Sequence, residues 1–303
     1  METYFAHGKL LITGEYIVLK GAEALAIPTK VGQYLNIESN VSNQINWNSL
    51  DNEGKDWFSA QFECKSLSII KTSSEKQAIT LQRILRAIRY QDENFMIEPS
   101  SCTTKLEFDR HFGFGTSSTL ISLLCQSSNT DPYEINQQIF GGSGFDIACA
   151  TAEGPITFQQ VDDLQEIKKV NLTAAFKETA FLIYSGKKQS SEEAIKEFPF
   201  EKVNSQIVST ISELTKTLVR SNSYSEMSEV INDHESMLSN LLNRKSLKRK
   251  LFDEYWGPVK SMGAWGGDFF LALSNQGEEK TKEYFYNKGF QTIYRYQDLF
   301  LGD

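Results

Sequence analysis

Short apolar runs broken by glycine open the chain. In KLLITGEYIVLKGAEALAIP, Gly8, Gly14 and Gly21 punctuate the pattern, and Leu10, Leu11 and Ile12 predict a buried strand. Val31–Glu38 alternates and predicts another. Residues 40–60 set Asn, Ser, Asp and Gly among Trp47, Trp57 and Phe58, as in a hairpin region with long turns. Leu81, Ile84, Leu85 and Ile88 recur at helical spacing and predict a helix over about Ser74–Tyr90, with Ser73-Ser74 as its N-cap. A strand over Cys102–Phe108 leads through Gly113–Ser118 into a helix burying Leu120, Ile121, Leu123 and Leu124. Pro132 and Glu134 open a short helix that stops at Gly141-Gly142, and Ile156–Phe158 reads as a strand.

The pattern then fades. Gln159–Lys177 is polar and mixed, which puts a domain boundary near residue 170 and divides the chain into 1–170 and 171–303. Thr179–Tyr184 predicts a strand. Two long amphipathic helices follow, one with Val203, Ile207, Ile211, Leu214 and Leu218 on a stripe, the next with Val230, Ile231, Met237, Leu238 and Leu241. Phe269–Leu273 predicts a strand, Glu278–Asn287 a helix and Gln291–Arg295 a last strand. This order implies an antiparallel sheet with helices on one face, an α+β layer.

Composition narrows the classes. A chain of 303 residues fits two domains and buries sizeable cores without disulfide staples. Its net charge of −8 argues against a general nucleic-acid binder, yet local basic groups can still hold a small anion. Cys64, Cys102, Cys125 and Cys149 form no CxxC pair and read as reduced core thiols of a cytoplasmic protein. No signal peptide is evident at the N-terminus, and runs such as LISLLC fall far below the ~20 residues that span a bilayer.

Four segments carry candidate chemistry. Residues 113–118, Gly-Phe-Gly-Thr-Ser-Ser, lie between a predicted strand and a predicted helix. Glycines let backbone N–H groups approach an anion, and a helix N-terminus adds orphan donors and a positive dipole end. Thr116, Ser117 and Ser118 add hydroxyls for phosphate or magnesium; no Walker A lysine follows. A plain strand-to-helix turn with serine caps would read the same way. Lys9 can meet a phosphate or lower a neighbour's pKa, or simply sit in solvent at a strand end. Asp146, in Gly-Gly-Ser-Gly-Phe-Asp-Ile-Ala, is expected to be partly buried and to need a partner. It suits a general base, a carboxylate paired with a lysine, or a helix cap. Gly263, Gly266 and Gly267 form a second glycine-rich turn before a strand, where Asp268 can also satisfy its own backbone. His7, His111 and His234 lack metal-ligand spacing and read as structural or surface groups, and 244–250 (RKSLKRK) reads as a solvated helix face.

In this order the motifs resemble the GHMP kinases, named for galactokinase, homoserine kinase, mevalonate kinase and phosphomevalonate kinase. The resemblance runs from residue 4 to about 275. HGKLLITGEYIVLKGAEALAIP is similar to the mevalonate and phosphomevalonate branch, and the Arg-Val-Asn signature of galactokinases is absent. GGSGFDIACATAEGPITFQ and Gly266-Gly267-Asp268 look closest to phosphomevalonate kinases. Three positions depart from the family pattern. His7 stands where proline usually precedes Gly-Lys, Asp109–Phe112 lead into Gly113 in place of Pro-x-Gly-x-Gly, and Trp265 replaces a glycine. The family's magnesium-binding glutamate has no clear counterpart; Glu134 is the carboxylate nearby in sequence.

The resemblance implies an α+β, two-domain GHMP kinase fold. Its N-terminal α/β domain would carry a left-handed-crossover-type nucleotide site, and its C-terminal domain would be a ferredoxin-like α+β layer. It implies an ATP-dependent phosphotransferase that uses Mg²⁺, with mevalonate or phosphomevalonate as leading acceptors in isoprenoid biosynthesis. Asp146 would match the catalytic aspartate and Lys9 the lysine that pairs with it. Gly113, Gly115, Thr116, Ser117, Ser118, Gly266 and Gly267 would match the ATP-binding positions, with Ser117 as the magnesium hydroxyl. Lys187, Lys188, Ser190, Gly263 and Trp265 would face the acceptor. The alternatives are a homoserine or sugar acceptor, or a non-catalytic ATP-binding regulatory paralogue. The expected partner is a small-molecule acceptor, with no nucleic acid and no membrane, in a monomer or homodimer.

Overall fold

The computed structural model describes residues 1–161, 164–187 and 190–302. The chain forms two compact units that are not contiguous in sequence. The first comprises Met1–Gly8, Val31–Arg110 and Phe114–Thr151; the second takes Lys9–Lys30, His111–Gly113 and the chain from Ala152 onward. The boundary expected near residue 170 therefore falls inside the second unit. Within the polar stretch that suggested it, Leu164–Lys169 form a hairpin strand whose side chains are exposed on both faces, so this part shows no apolar alternation.

In the first unit, β1 (Glu2–Leu11) pairs with β2 (Ala24–Ser39), and both strands continue into the second unit. Next come β3 (Gln44–Leu50), β4 (Asp56–Glu63), β5 (Ile69–Thr72) and β6 (Ser100–Leu106). The order is β5-β4-β3-β6-β2. β3 and β6 run parallel while the other pairs are antiparallel, so the sheet is mixed. The helices are α1 (Glu75–Gln91), α2 (Thr116–Ser128), α3 (Pro132–Ile139) and α4 (Phe145–Ala150). Leu81, Ile84, Leu85 and Ile88 of α1 share one core with Leu35, Ile45, Phe58 and Phe62 of the sheet and with Ile121 and Leu124 of α2. Ser74 is the N-cap of α1, as expected, but its hydroxyl meets the Gln77 side chain instead of a backbone amide.

In the second unit, Ala24–Ala26 of β2 pair with β7 (Ile156–Val161), and β7 pairs with β8 (Leu164–Lys169). Then follow α5 (Ala174–Thr179), β9 (Ala180–Tyr184), α6 (Ser191–Glu197), α7 (Ser205–Arg220), α8 (Tyr224–Leu242) and α9 (Leu247–Leu251). The chain closes with β10 (Val259–Ser261), β11 (Phe269–Leu273), α10 (Glu278–Asn287), β12 (Ile293–Arg295) and α11 (Tyr296–Leu299). β10-β11-β9-β12 form the expected antiparallel sheet. Phe181, Ile183, Val259, Phe270 and Ala272 of this sheet pack on Phe252, Tyr255 and Phe285. A second cluster joins Ile211 of α7 and Leu238 of α8 to Tyr16, Ile17, Phe198 and Trp265. The four cysteines are buried and unbridged. Among the described residues no helix is long and apolar enough to cross a membrane.

Candidate active site

The first unit carries the hydroxyl-rich segment and Asp146. α2 starts at Thr116 from Gly115, which is left-handed at φ 87°, and no side chain caps this end. A left-handed first residue favours glycine, and an uncapped helix start leaves its first amides for water or an anion. The three hydroxyls divide by role. Ser118 is buried and its hydroxyl donates to the Gly115 carbonyl at 2.9 Å, while Ser117 is exposed and Thr116 half-buried. Asp146 stands half-buried in the first turn of α4, which opens from left-handed Gly144 and packs against α2. Its Oδ1 accepts from the Ile147 amide at 3.2 Å.

The second unit gathers Lys9, Gly113 and the late glycine turn. Lys9 lies on β1 and its ammonium donates to the Gly113 carbonyl at 3.2 Å. A Cβ on Gly113 would overlap the Asp268 carboxylate, coming within 2.6 Å of its Cγ. Phe112 anchors this short segment on Tyr184 and Phe269, with ring centroids 4.7 and 5.4 Å away. The turn between β10 and β11 has three residues at positive φ: Gly263 (58°), Trp265 (24°) and Gly266 (102°). The Trp265 ring is buried in the apolar cluster with Tyr16 and Phe198.

Beside this turn lies a buried ionic network that the sequence reading did not single out. Lys260 is fully buried and donates to Glu15 Oε1 and, at 3.0 Å, to the Ser261 carbonyl. Glu235 accepts from the Ser261 amide at 3.2 Å and from its hydroxyl at 3.1 Å. His234 Nε2 accepts from the Gly14 amide at 2.9 Å, which puts the proton of a neutral ring on Nδ1. Burial and the Lys260 charge hold His234 well below the usual histidine range. Burial outweighs the pull of Lys260 and raises the Glu15 carboxyl to about 7. Glu235 is raised by burial as well, against the opposing pull of Lys260 and Ser261. For Glu15 the nearby Glu235 charge adds only a small further rise to that of burial.

The proposed acceptor segment is only partly described. Lys187 is exposed, two residues beyond Ser185, whose amide donates to the Asp268 carbonyl at 2.8 Å. Ser190 caps α6, its hydroxyl accepting from the Glu193 amide at 3.3 Å. Lys188 lies outside the described residues. No cluster of three or more His, Cys, Asp or Glu suited to a metal occurs among the described residues.

No family model and no curated protein matches the sequence. Solved structures do match. The phosphomevalonate kinase of Streptococcus pneumoniae, solved with phosphomevalonate and AMPPNP, aligns with a TM-score of 0.75 and 18% identity. That alignment covers 97% of this chain and 100% of that one. The mevalonate kinase of Methanococcus jannaschii aligns with 0.73 and 14%, covering 100% and 98%. The galactokinase of Lactococcus lactis, solved with galactose, aligns with 0.71 and 11%, covering 100% and 94%. Mixed sheet, small antiparallel sheet and near-complete coverage agree: the chain has the two-domain α+β fold of the GHMP kinases.

Proposed function

We propose that this protein is an ATP-dependent small-molecule kinase, with mevalonate or phosphomevalonate as its acceptor. The observation that carries the reading is the start of α2, where Gly115 opens an uncapped helix beside Thr116 and the exposed Ser117. Backbone amides and a helix dipole there suit a phosphate chain. Magnesium takes few protein ligands and keeps waters and phosphate oxygens, so one hydroxyl at Ser117 fits a site without a carboxylate cluster. When bound, the metal would neutralise charge on the nucleotide.

Phosphoryl transfer demands positioning and charge neutralisation more than covalent chemistry. Asp146 hydrogen-bonds the acceptor's attacking oxygen and takes its proton. Lys9 meets the negative charge that develops on the transferred group. Gly113, Gly115, Gly266 and Gly267 let backbone approach the phosphates. Lys187 and Lys188 suit a phosphorylated acceptor. The likeness to a galactokinase keeps sugars among the acceptors to be tested.

The test is ADP release from Mg-ATP with mevalonate, phosphomevalonate, homoserine and sugars offered separately. Turnover with one acceptor that is lost in Asp146→Ala supports the reading. ATP binding without turnover on any acceptor favours the regulatory alternative, and absence of ATP binding sinks the assignment of residues 113–118.

A further inference from the structure

The buried network in the second unit lies at one end of the glycine turn. Ser261 is the last residue of β10, and the next seven residues make the turn before β11. Its peptide is held from several sides. Lys260 Nζ bonds the Ser261 carbonyl, and Glu235 accepts from both the Ser261 amide and hydroxyl. Within the turn Met262 and Trp265 are buried, and at its far end the Asp268 carbonyl accepts from the Ser185 amide. Gly263 and Gly266 themselves have open space where a Cβ would stand.

The same network fastens the segment that follows Lys9. Thr13 Oγ1 pairs with Thr215 Oγ1 at 2.7 Å, Gly14 donates to His234, and Glu15 takes Lys260. Residues 13–15 and 260–261 are thereby joined through α7 and α8. A fully buried ammonium is a costly way to add stability, because an apolar side chain of similar volume often serves as well. What the ammonium supplies is direction, since it fixes two oxygens at defined angles.

We propose that Lys260 and Glu235 are positioning residues, which set the course of the 262–268 turn and tie it to residues 13–15. Their effect on turnover rests on the kinase reading; their hold on the turn does not. The pair Glu15→Gln/Lys260→Met removes the Glu15–Lys260 ion pair as a unit and cuts the bond to the Ser261 carbonyl, while Glu235 keeps the Ser261 amide and hydroxyl as donors. Glu235→Gln keeps an acceptor for the Ser261 amide, whereas Glu235→Ala does not.

Hydrogen–deuterium exchange on the full chain, without ligand, reads the turn directly. In the double variant and in Glu235→Ala, amides of 262–268 should exchange roughly tenfold faster while β9 and β11 keep their protection. Glu235→Gln should stay near the wild type. Unchanged exchange in the turn, or faster exchange spread evenly through the second unit, overturns the proposal. In the kinase assay the double variant should lose roughly tenfold to a hundredfold in kcat/KM. A wild type without turnover would count against the kinase reading alone, since the exchange pattern stands apart from it.

Discussion

Asp268 fills the space beside Gly113 that any larger residue would need: a Cβ there would sit 2.6 Å from Asp268 Cγ. Gly113 also has φ +68°, a region that L side chains rarely adopt. Gly113→Ala therefore meets two penalties. We expect a loss of about 2–4 kcal/mol in unfolding free energy by denaturant titration. Gly263→Ala is the matched control, with φ +58° but open space at its Cβ. It should lose only about 1 kcal/mol. Equal losses in both would show that Asp268 imposes no steric limit.

The Glu15 carboxyl is raised to about 7 by burial, with Lys260, Glu235 and His234 around it. Between its ordinary value of 4.5 and about 7 the folded protein holds a proton that the unfolded chain releases. This contribution is complete below the unfolded value and is lost as pH rises through the folded one. From pH 5 to pH 8 the wild-type melting temperature should fall more steeply than that of Glu15→Gln, by roughly 5 °C. Parallel melting curves across that range would remove Glu15 as the titrating group.

Asp146 and Lys9 have separable roles in the proposed transfer. Asp146→Asn should lower kcat about 10²–10⁴-fold while ATP affinity changes only a few-fold. Lys9→Met should lower kcat similarly and also release the Gly113 carbonyl that Lys9 now holds. Calorimetric ATP titration beside steady-state kinetics separates the two, and a normal kcat in Asp146→Asn would rule out its catalytic role.

Ser117 and Ser118 are neighbours with different employment. Ser118 is committed to the Gly115 carbonyl, whereas Ser117 faces outward. Ser118→Ala should cost about 1 kcal/mol of stability. Ser117→Ala should leave stability within about 0.5 kcal/mol and raise the magnesium concentration needed for half-maximal turnover. The reverse pattern would reassign the metal hydroxyl.

Burial raises the Cys102 thiol to about 12 and the Cys125 thiol to about 11, and Cys64 is raised too. Few thiolates exist at pH 8, so alkylation of the native protein should be at least about a hundredfold slower than of the unfolded chain. Mass spectrometry of iodoacetamide-treated protein checks this; rapid native labelling would mean that the first unit opens locally.

Helices and buried strands were legible because their signal is periodic. The two ranges 269–273 and 278–287 appear as expected, since each has its full pattern within one local window. α4 and β10 were not foreseen. One has six residues and the other three, too few to show a period, and both are set by what packs on them. β8 escaped for the opposite reason: with both faces exposed it has no apolar side to alternate.

The candidate site divides along the same line. Glycine and hydroxyl clusters at 113–118 and 263–267 can be read from the chain, because backbone that must reach left-handed φ announces itself by residue type. The order of these motifs carried the fold. Only the tertiary structure assigned Ser118 to the Gly115 carbonyl, set Asp268 against Gly113, and buried Lys260 against Glu15, 245 positions away, on a strand whose Ser261 is held by Glu235 from 26 positions away. A lysine, a histidine and two glutamates spread over the sequence have the composition of surface residues. Their pairing inside the second unit depends on which helices and strands converge there, and no local pattern encodes that convergence.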